Sequence, residues 1–461
     1  MEQATSTSLV ELRERIDSLD KRLLETLSQR LEIARQVMEI KDAENLPLRD
    51  VPREKSLLRN LITDGRALGL DAHFITKIFH EVIAEGNRVQ QDYLQSKLNG
   101  LPTRQSLRVA FQGIDGSYSH LAGRNLFSAA KSGESTRADF VGFSSFQEAV
   151  RAVENGDCDY AILPIENTTS GAINDVYDLL LNSKVSIVGE EKLLVEHCLV
   201  ALETVPLSHL KRIYCSPLAV SECSTFLATI PECATEFSND SATAVKRLQD
   251  SKERLHAAIA SEEAAEMFGL TVLQRGISNQ ESNFTRYLLV AKSPTKVDSR
   301  IPAKTSIVMN TLNKPGALVE ALLVFREQGI NLTKLEIRPI PSNSWEEMFY
   351  IDFLGNLDAP QVKSALAELT KLVRFTKVLG CYPACDIEPT AVATEDSMAV
   401  SGAEQTPSST TTTEAVKTAP PKAPSKDKGY TLVTRDHKAT NTVIQVGGVS
   451  IGDGNFVVIA D

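Results

Sequence analysis

The chain has 461 residues, of which 42% are hydrophobic and 24% charged, so it is long enough for about three domains and exceeds a single core. Its net charge of −11 argues against non-specific binding to nucleic acid or to an anionic membrane, because both need a basic face. Any anionic ligand must therefore meet locally placed cations.

Seven scattered cysteines form no CxxC pair, which is typical of reduced, mostly buried thiols. Residues 1–7 are polar and lead into a charged helical pattern instead of an apolar signal segment. No apolar run approaches the length of a membrane span. We therefore expect a cytoplasmic protein without nucleic-acid or membrane partners.

The first predicted element is one long amphipathic helix, which Ser8 caps and which runs to Lys41 without glycine or proline. Its apolar stripe repeats every seven residues. The stripe contains Leu9, Ile16, Leu23 and Val37. A helix of about 34 residues is about 50 Å long, more than a small domain can bury, so we expect it to pair with a second copy of itself.

Three cations lie on or beside this stripe. Arg30 occupies the register of the apolar residues, and Arg13 and Lys41 flank it. Unpaired buried cations are costly, so the stripe must meet carboxylates or an anionic ligand. Snorkelling side chains or ion pairs between helices are the alternative explanation.

Two further helices carry polar groups toward the same place. Asp50 and Glu54 lie at the entry of the second helix, and the third helix, which Asp71 caps, places Gly86 and Gln90 on its apolar stripe. A buried amide needs a partner. The three helices together predict a pocket for a small dianion with a hydroxyl and an ether-like acceptor.

This region, residues 1–98, resembles the all-helical chorismate mutase family. The matching positions are Leu12-Arg13, Gln29-Arg30, Ile40-Lys41, Arg49-Asp50, Pro52-Arg53-Glu54 and Gln90-Gln91. The resemblance implies an intramolecular Claisen rearrangement of chorismate to prephenate. Such a reaction needs no nucleophile, only a site that folds the substrate and stabilises charge at the ether oxygen.

The resemblance also implies a role for each chorismate-binding residue. Arg13 of the partner subunit and Arg30 would hold the two carboxylates, while Lys41 and Gln90 would contact the ether oxygen as catalytic groups. The remaining three positions would shape the ring site: Asp50 and Glu54 would orient the ring hydroxyl, and Gly86 could offer only its backbone.

From residue 105 to 294, short apolar strands alternate with helices, which predicts an α/β domain. Four strands end in Ser, Thr or Gly clusters that open a helix, where free N–H groups attract anions. These strands are residues 107–111, 160–163, 212–215 and 257–260. Ordinary N-capping explains any one cluster, whereas four together favour a cleft for a carboxylate-rich small molecule.

Thr285 and Arg286 place a hydroxyl beside a cation at the entry of an apolar run, residues 288–291, that predicts a buried strand. Such a pair could hold an anion and donate a proton to a leaving group. The alternative is that Thr285 is only a residue that favours strands.

This domain resembles the prephenate dehydratase family in residues 116–120, 164–168 and 283–286, although Tyr287 stands where the family usually has Phe. The resemblance implies a two-lobed, periplasmic-binding-protein-like α/β fold that removes CO2 and the ring hydroxyl from prephenate. Thr285 would donate the proton. The other implied prephenate-binding residues are Ser117, Glu166, Asn167, Thr168 and Arg286. The transaminated analogue, arogenate, stays open as a second substrate.

Residues 303–384 follow the order strand, helix, strand, strand, helix, strand, which predicts an α+β ferredoxin-like module. Its elements are residues 305–310, 317–327, 331–339, 347–354, 360–372 and 375–379. The module resembles the ACT domain, which implies feedback inhibition by phenylalanine across a domain dimer. The implied allosteric residues are Gly316, Ala317, Leu318, Val319, Glu336, Ile337, Arg338 and Pro339. Ile337 replaces the serine that is usual there.

Residues 385–428 are rich in Pro, Ser, Thr and Ala and predict a disordered linker. Residues 429–461 regain strand character at 442–447 and 456–460. This short β appendage resembles the start of a 3-deoxy-D-arabino-heptulosonate 7-phosphate (DAHP) synthase. The barrel and its metal ligands are absent, so we expect a fusion remnant without that activity.

Together these resemblances identify the chain as a member of the bifunctional chorismate mutase/prephenate dehydratase (P-protein) family. They predict a multidomain enzyme of phenylalanine biosynthesis, a homodimer or higher oligomer, that needs no metal or organic cofactor. Two alternatives remain: a non-catalytic amino-acid sensor, and a dehydratase whose helical domain is only structural.

Overall fold

The computed structural model describes residues 9–100, 106–129, 137–230, 232–280, 282–339, 346–385, 390, 444–446 and 449–451. The chain forms two compact units, residues 1–394 and 395–461. The first contains the three predicted domains, in the predicted order.

Three helices form the N-terminal domain: α1 (Leu9–Ala43), α2 (Val51–Ala67) and α3 (Ala72–Asn99). The prediction of one long first helix is confirmed, and α1 has 35 residues; its predicted cap, Ser8, lies outside the described residues. Asp50 caps α2 and Asp71 caps α3, because each carboxylate accepts a hydrogen bond at 3.0 Å from the backbone N–H three residues later.

The predicted apolar stripe of α1 is exposed along its length in the single chain: Leu9, Ile16, Leu23 and Val37 are 63%, 56%, 58% and 39% exposed. Beside the stripe, near the C-terminal end, Met38 is fully buried against α3 and the third domain. The first half of the helix therefore presents a long apolar face to solvent.

The second domain has two lobes, as the resemblance implied. Its elements are β1 (Ser106–Gln112), α4 (Tyr118–Ala129), β2 (Arg137–Phe143), α5 (Phe146–Asn155), β3 (Tyr160–Asn167), β4 (Gly171–Ala172), α6 (Asn174–Asn182), β5 (Ser186–Leu194), β6 (Cys198–Ala201), a 3-10 turn (Leu207–His209), β7 (Arg212–Cys215), α7 (Pro217–Glu222), α8 (Ser224–Leu227), β8 (Ala234–Phe237), α9 (Ser241–Ser251), β9 (His256–Ala260), α10 (Glu262–Met267), β10 (Thr271–Gln274) and β11 (Phe284–Ala291).

The first lobe contains the strand order β2-β1-β3-β11-β5, and the second lobe contains β10-β6-β9-β7-β8. The chain passes into the second lobe after β5 and returns through the segment before β11. Strand β11 lies between β3 and β5 and is antiparallel to both. It is therefore a central strand of its sheet and a rigid base for the residues at its start.

The third domain contains β12 (Ala303–Thr311), α11 (Ala317–Glu327), β13 (Leu332–Pro339), β14 (Glu347–Leu354), α12 (Pro360–Leu372) and β15 (Val373–Pro383). Its strand order β13-β14-β12-β15 and its two helices on one face confirm the ferredoxin-like prediction.

The sheets of the second and third domains join into one. Strand β15 pairs with β5 where Gly380 meets Ile187, which gives a ten-stranded sheet. A Cβ atom on Gly380 would lie 2.1 Å from the carbonyl oxygen of Ile187, so only glycine allows this approach. Behind the junction, Tyr350 and Tyr382 of the third domain share a core with Tyr177 of the second.

In the C-terminal unit, β16 (Ile444–Val446) and β17 (Val449–Ile451) form an antiparallel pair. The first lies within the predicted strand 442–447, whereas the predicted strand 456–460 and almost all of the predicted linker 385–428 fall outside the described residues. Among the residues that the structure describes, no helix has the length and apolar character needed to cross a bilayer.

Candidate active sites

In the helical domain, Lys41 and Gln90 meet across α1 and α3. Gln90 is buried, and the half-buried Nζ of Lys41 donates hydrogen bonds to Gln90 Oε1 at 3.3 Å and to the carbonyl of Leu48 at 2.6 Å. Burial lowers the pKa of Lys41, and the charges of Asp50 and Glu54 oppose that effect. The structure thus joins the two residues predicted to contact the ether oxygen.

Arg30 points from α1 toward α3. Its Nη1 atom donates to the carbonyl of Val82 at 2.8 Å, and burial lowers the pKa of the guanidinium. A Cβ atom on the buried Gly86 would lie 3.4 Å from that nitrogen. Gly86 therefore forms the wall against which Arg30 rests.

Glu54 is the buried carboxylate of this pocket. It forms an ion pair with Arg49 at 2.7 Å and accepts hydrogen bonds from Asn87 Nδ2 at 3.3 Å and from the hydroxyl of Thr390. Burial by itself raises the pKa of Glu54, but the hydrogen bonds from Arg49, Thr390 and Asn87 hold it below the ordinary value. The contact with Thr390 joins residues 336 positions apart, so no sequence pattern could have predicted it.

The remaining predicted mutase residues lie at the edge. Asp50 is exposed and its carboxylate caps α2, while Arg13 is exposed on the part of α1 that extends from the domain. Within one chain the structure therefore brings together Arg30, Lys41, Glu54, Gly86 and Gln90.

In the two-lobed domain, Thr285 lies beside Asn167 at the start of β11. The two residues are paired in register, and Asn167 Nδ2 donates to Thr285 Oγ1 at 2.9 Å. Asn167 Oδ1 accepts the backbone N–H groups of Thr169 and Ser170, each at 2.8 Å. These contacts determine which way the amide points, so Asn167 donates a hydrogen bond to the Thr285 oxygen.

Asn283 is a site residue that the sequence reasoning missed, although it begins the same motif. Its Oδ1 accepts from Asn167 Nδ2 at 2.6 Å, and it is 1% exposed. Within the described part of the chain, its Nδ2 atom has no hydrogen-bond partner. A buried, unpaired amide N–H is costly unless a ligand accepts from it.

Tyr287 shares the face of β11 that carries Thr285, because side chains alternate along a strand. Burial raises the pKa of Tyr287, and hydrogen bonds with Ser119 and Thr285 oppose that rise. The hydroxyl that distinguishes this chain from the usual family motif thus lies near the predicted proton donor.

Ser117 and Thr168 make contacts typical of local structure. Ser117 Oγ accepts from the N–H of His120 at 3.3 Å at the start of α4, and Ser216 and Ser261 cap their helices in the same way. The exposed Thr168 accepts from the backbone N–H of Phe284 at 2.9 Å. Ordinary capping, the alternative considered for these clusters, therefore accounts for the serine contacts.

Glu166 and Arg286 lie on the other face of the sheet from Thr285. They pair with each other at 2.9 Å, and both contact the third domain, Glu166 through Lys334 and Arg286 through Asp352. The structure therefore separates these two predicted prephenate residues from the pair Asn167 and Thr285.

The predicted allosteric residues fall on two elements. Gly316, with φ 82°, begins α11, where Ala317 is buried, Leu318 half-buried and Val319 exposed. On β13, Glu336 lies 3.4 Å from Lys334, and Arg338 pairs with Asp178 of the second domain at 2.7 Å. The two residues that alternate with them, Ile337 and Pro339, are exposed.

Among the described residues, no group of three or more His, Cys, Asp or Glu side chains is arranged to hold a metal ion.

Comparisons with known proteins agree with this division. Residues 12–91 match the chorismate mutase type II family, residues 109–295 the prephenate dehydratase family, and residues 305–370 the ACT domain family. These matches confirm the three resemblances found in the sequence.

Two solved structures resemble the second and third domains. The prephenate dehydratase of Arthrobacter aurescens, solved with L-Phe, is 28% identical with a TM-score of 0.56, over 64% of this chain and 97% of that chain. A protein described as a novel type of quorum quenching acylase, GqqA, is 30% identical with a TM-score of 0.53, over 60% of this chain and 98% of that chain. The shared fold alone therefore does not determine the reaction.

The bifunctional chorismate mutase/prephenate dehydratase of Escherichia coli (strain K12) is 43% identical to this chain over 383 residues. The alignment covers 83% of this chain and 97% of that protein. The bifunctional enzyme of Aquifex aeolicus is 30% identical over 81% of this chain and 98% of that protein. The chain therefore belongs to the bifunctional chorismate mutase/prephenate dehydratase family.

Proposed function

We propose that this chain converts chorismate to prephenate in its helical domain and prephenate to phenylpyruvate in its two-lobed domain, and that phenylalanine inhibits it through the ACT domain. One observation carries the proposal: a single chain holds both Lys41 hydrogen-bonded to Gln90 and Thr285 hydrogen-bonded to Asn167. A non-catalytic sensor needs neither pair.

In the mutase pocket, the half-buried cations replace water around a dianion. Arg30 holds one substrate carboxylate, and Lys41 with Gln90 donates to the ether oxygen as the C–O bond breaks. The ring hydroxyl donates to Glu54, whose low pKa keeps it ionised and able to accept. Asp50 and the backbone of Gly86 complete the site at its edge.

In the dehydratase site, the hydroxyl of Thr285 donates to the departing ring hydroxyl while CO2 leaves, and the ring becomes aromatic. A threonine is a weak acid, so its effect comes from placement, which Asn167 supplies. The unpaired Nδ2 of Asn283 supports a ligand oxygen at this point. Ser117 and Thr168 are the further residues that we assign to prephenate binding.

Phenylalanine binds at residues 316–319 and 336–339. The ACT domain and the L-Phe complex of the Arthrobacter aurescens dehydratase support this assignment. Ile337 is exposed and replaces the serine that is usual there, so we expect weaker inhibition. A calorimetric titration that shows no binding of phenylalanine would refute the assignment.

We also propose a homodimer in which α1 of each subunit covers the other. Its exposed apolar stripe supports this, because a face of that length needs a partner. Arg13 lies on the exposed part and would complete the partner's pocket. If the two residues act across subunits, mixing inactive Arg13→Ala and Arg30→Ala chains should restore mutase activity, because one pocket of each mixed dimer has both arginines. If both arginines of a pocket come from the same chain, mixing should restore no activity.

The test of the main proposal is to incubate the purified chain with chorismate and to follow chorismate loss and phenylpyruvate formation, with and without phenylalanine. Phenylpyruvate that falls with added phenylalanine supports all three assignments. Prephenate accumulation would contradict the dehydratase assignment, dehydration of added prephenate without chorismate turnover would make the helical domain structural, and no turnover would favour the sensor.

We further propose a cytoplasmic location. All seven cysteines are free thiols, which is usual for reducing compartments.

A further inference from the structure

Arg286 directly follows Thr285, the proposed proton donor, but its side chain lies on the opposite face of the sheet. In the register of β11 and β3, Thr285 pairs with Asn167 and Arg286 pairs with Glu166. Successive side chains of a strand point to opposite faces. One face of this strand pair therefore carries the neutral site residues, and the other carries charge.

Arg286 is 6% exposed, and its guanidinium donates hydrogen bonds to protein groups. Its Nε donates to Glu190 at 2.8 Å, its Nη1 to Glu166 at 2.9 Å and to Asp352 at 2.7 Å, and its Nη2 to the Tyr382 hydroxyl at 2.9 Å. Two of these four partners, Asp352 and Tyr382, belong to the ACT domain.

The surrounding charges balance. The carboxylates of Glu166, Glu190 and Asp352 face the cations of Arg286, Lys304 and Lys334. Lys304 pairs with Glu190 at 2.7 Å, and Ser306 donates to Asp352 at 2.5 Å. The pairs of Arg286 with Glu190 and Asp352 are buried, so they fix the position of the guanidinium, because breaking one of them leaves a buried charge. Glu166 and Lys334, whose side chains are 25% and 24% exposed, lie at the edge of the cluster, where water replaces a lost partner.

The cluster continues to the proposed phenylalanine site through Lys334. Its Nζ lies 2.5 Å from Glu166 and 3.4 Å from Glu336. Lys334 and Glu336 share the face of β13 that meets the second domain, and Lys334 is half-buried there. A continuous chain of contacts therefore joins Glu336 to the residue next to Thr285.

We propose that Arg286 is a positioning residue that holds Thr285 in place from behind, and that the bridge Glu336–Lys334–Glu166 carries the phenylalanine signal to it. The second part rests on the proposed regulation by phenylalanine. The α-ammonium of an amino acid requires an anion, and Glu336 supplies one. Its binding takes Glu336 away from Lys334, so that Lys334 pairs with Glu166 alone and weakens the hold of Glu166 on Arg286.

The anchor is tested by Arg286→Lys, which keeps the charge but cannot make four directed hydrogen bonds. Dehydratase kcat should fall about 100-fold with KM changed less than about threefold, because Thr285 is misplaced while substrate contacts remain. Mutase activity should persist. A KM that rises about tenfold or more at unchanged kcat would instead show that Arg286 binds substrate, and would overturn the anchor.

Asp352→Asn provides a second variant in case Arg286→Lys does not fold. It alters the cluster from the ACT side with little change of shape and cannot touch prephenate. The same fall in dehydratase kcat at unchanged KM supports the anchor. A folded Asp352→Asn protein with kcat within about twofold of the unmutated chain would overturn the positioning role of Arg286. Loss of a buried ion-pair partner should displace the guanidinium and therefore lower kcat.

The signal is tested by Lys334→Met, with Lys363→Met as the control, because Lys363 is an ACT-domain lysine whose side chain is 60% exposed and pairs with Asp358. For Lys334→Met we expect unchanged kcat without phenylalanine, a calorimetric Kd for phenylalanine within about threefold, and a half-inhibitory concentration raised at least about tenfold. The control should behave like the unmutated chain.

The outcomes separate the two proposals. Inhibition that survives in Lys334→Met, or a Kd that rises as much as the half-inhibitory concentration, would overturn the bridge while regulation by phenylalanine stands. If the unmutated chain binds no phenylalanine, the proposed regulation fails and the bridge with it, whereas the kcat results for Arg286→Lys and Asp352→Asn still decide the anchor.

Discussion

The two proposed catalytic pockets distribute charge in opposite ways. The mutase pocket places the charged side chains of Arg30, Lys41 and Glu54 on its wall. The dehydratase site presents neutral groups of Thr285 and Asn167, while the charges of the same strands are buried behind the sheet. A rearrangement that transfers no proton is helped by fixed charge, whereas dehydration needs a placed proton donor.

The scaffolds differ in the same sense. The mutase residues extend from helices, one of which exposes its apolar stripe, and Glu54 of this pocket accepts a hydrogen bond from Thr390, which lies outside the helical domain. The dehydratase residues lie on a central strand with a partner on each side. We therefore expect changes at the dehydratase site to stay local, and changes in the helical domain to depend more on assembly.

The largest expected effect is that of Thr285→Ala on dehydration. Loss of the proton donor should lower dehydratase kcat by about 10²–10⁴-fold, and Thr285→Ser, which keeps the hydroxyl, should recover most of it. The measurement is phenylpyruvate formation from added prephenate. Mutase turnover in the same protein serves as the control, and equal loss of both activities would point to misfolding instead.

Lys41→Ala should remove the ammonium group that donates to the ether oxygen in the mutase pocket. Mutase kcat should fall by about 10²–10³-fold, as for the loss of one donor to a developing negative charge, while prephenate turnover stays unchanged. Chorismate loss followed by absorbance measures the effect. Lys77→Ala, which changes an exposed lysine of α3, is the matched control. Mutase turnover retained in Lys41→Ala would refute the assignment.

The pH profiles should separate the two pockets next. Lys41 must keep its proton to donate, and burial lowers its pKa below the ordinary 10.5. Its charge is lost as pH rises through the folded pKa, so mutase activity should start to decline at a pH lower than 10.5. Above the folded pKa it should decrease about tenfold for each pH unit. Thr285 does not titrate there, so dehydratase activity should stay level. Parallel declines would indicate unfolding rather than titration.

Local rules predicted much of the fold from the sequence. Seven-residue spacing and the absence of glycine and proline predicted α1 closely, Asp71 marked the start of α3, and the order of apolar segments predicted the ACT module. These features depend on neighbours in the chain, where periodicity and capping act. The motif around Thr285 lies beside a second motif of the same family, because Asn167 donates to Thr285, and the role of Thr285 in the reaction stays a prediction.

The environment of Arg286 could not be predicted in this way. Alternation along the strand already places it opposite Thr285, but which face meets the ACT domain depends on Gly380 allowing β15 to reach β5. Asp352 is 66 positions away and Thr390 is 336 positions from Glu54, and single-sequence patterns carry no information at such separations.

The smallest expected effect is that of Gly86→Ala, which probes how tightly the charged pocket is packed. The new Cβ would lie 3.4 Å from Arg30 Nη1 and 3.9 Å from Ala34 Cβ, ordinary contact distances. Glycine within a helix is less stable than alanine by about 0.5–1 kcal/mol, so thermal unfolding should shift slightly upward with mutase kcat within about threefold. Gly380→Ala, which meets a carbonyl at 2.1 Å, should instead destabilise the protein. A mutase loss above about tenfold in Gly86→Ala would mean that the new methyl group displaces Arg30 or the substrate.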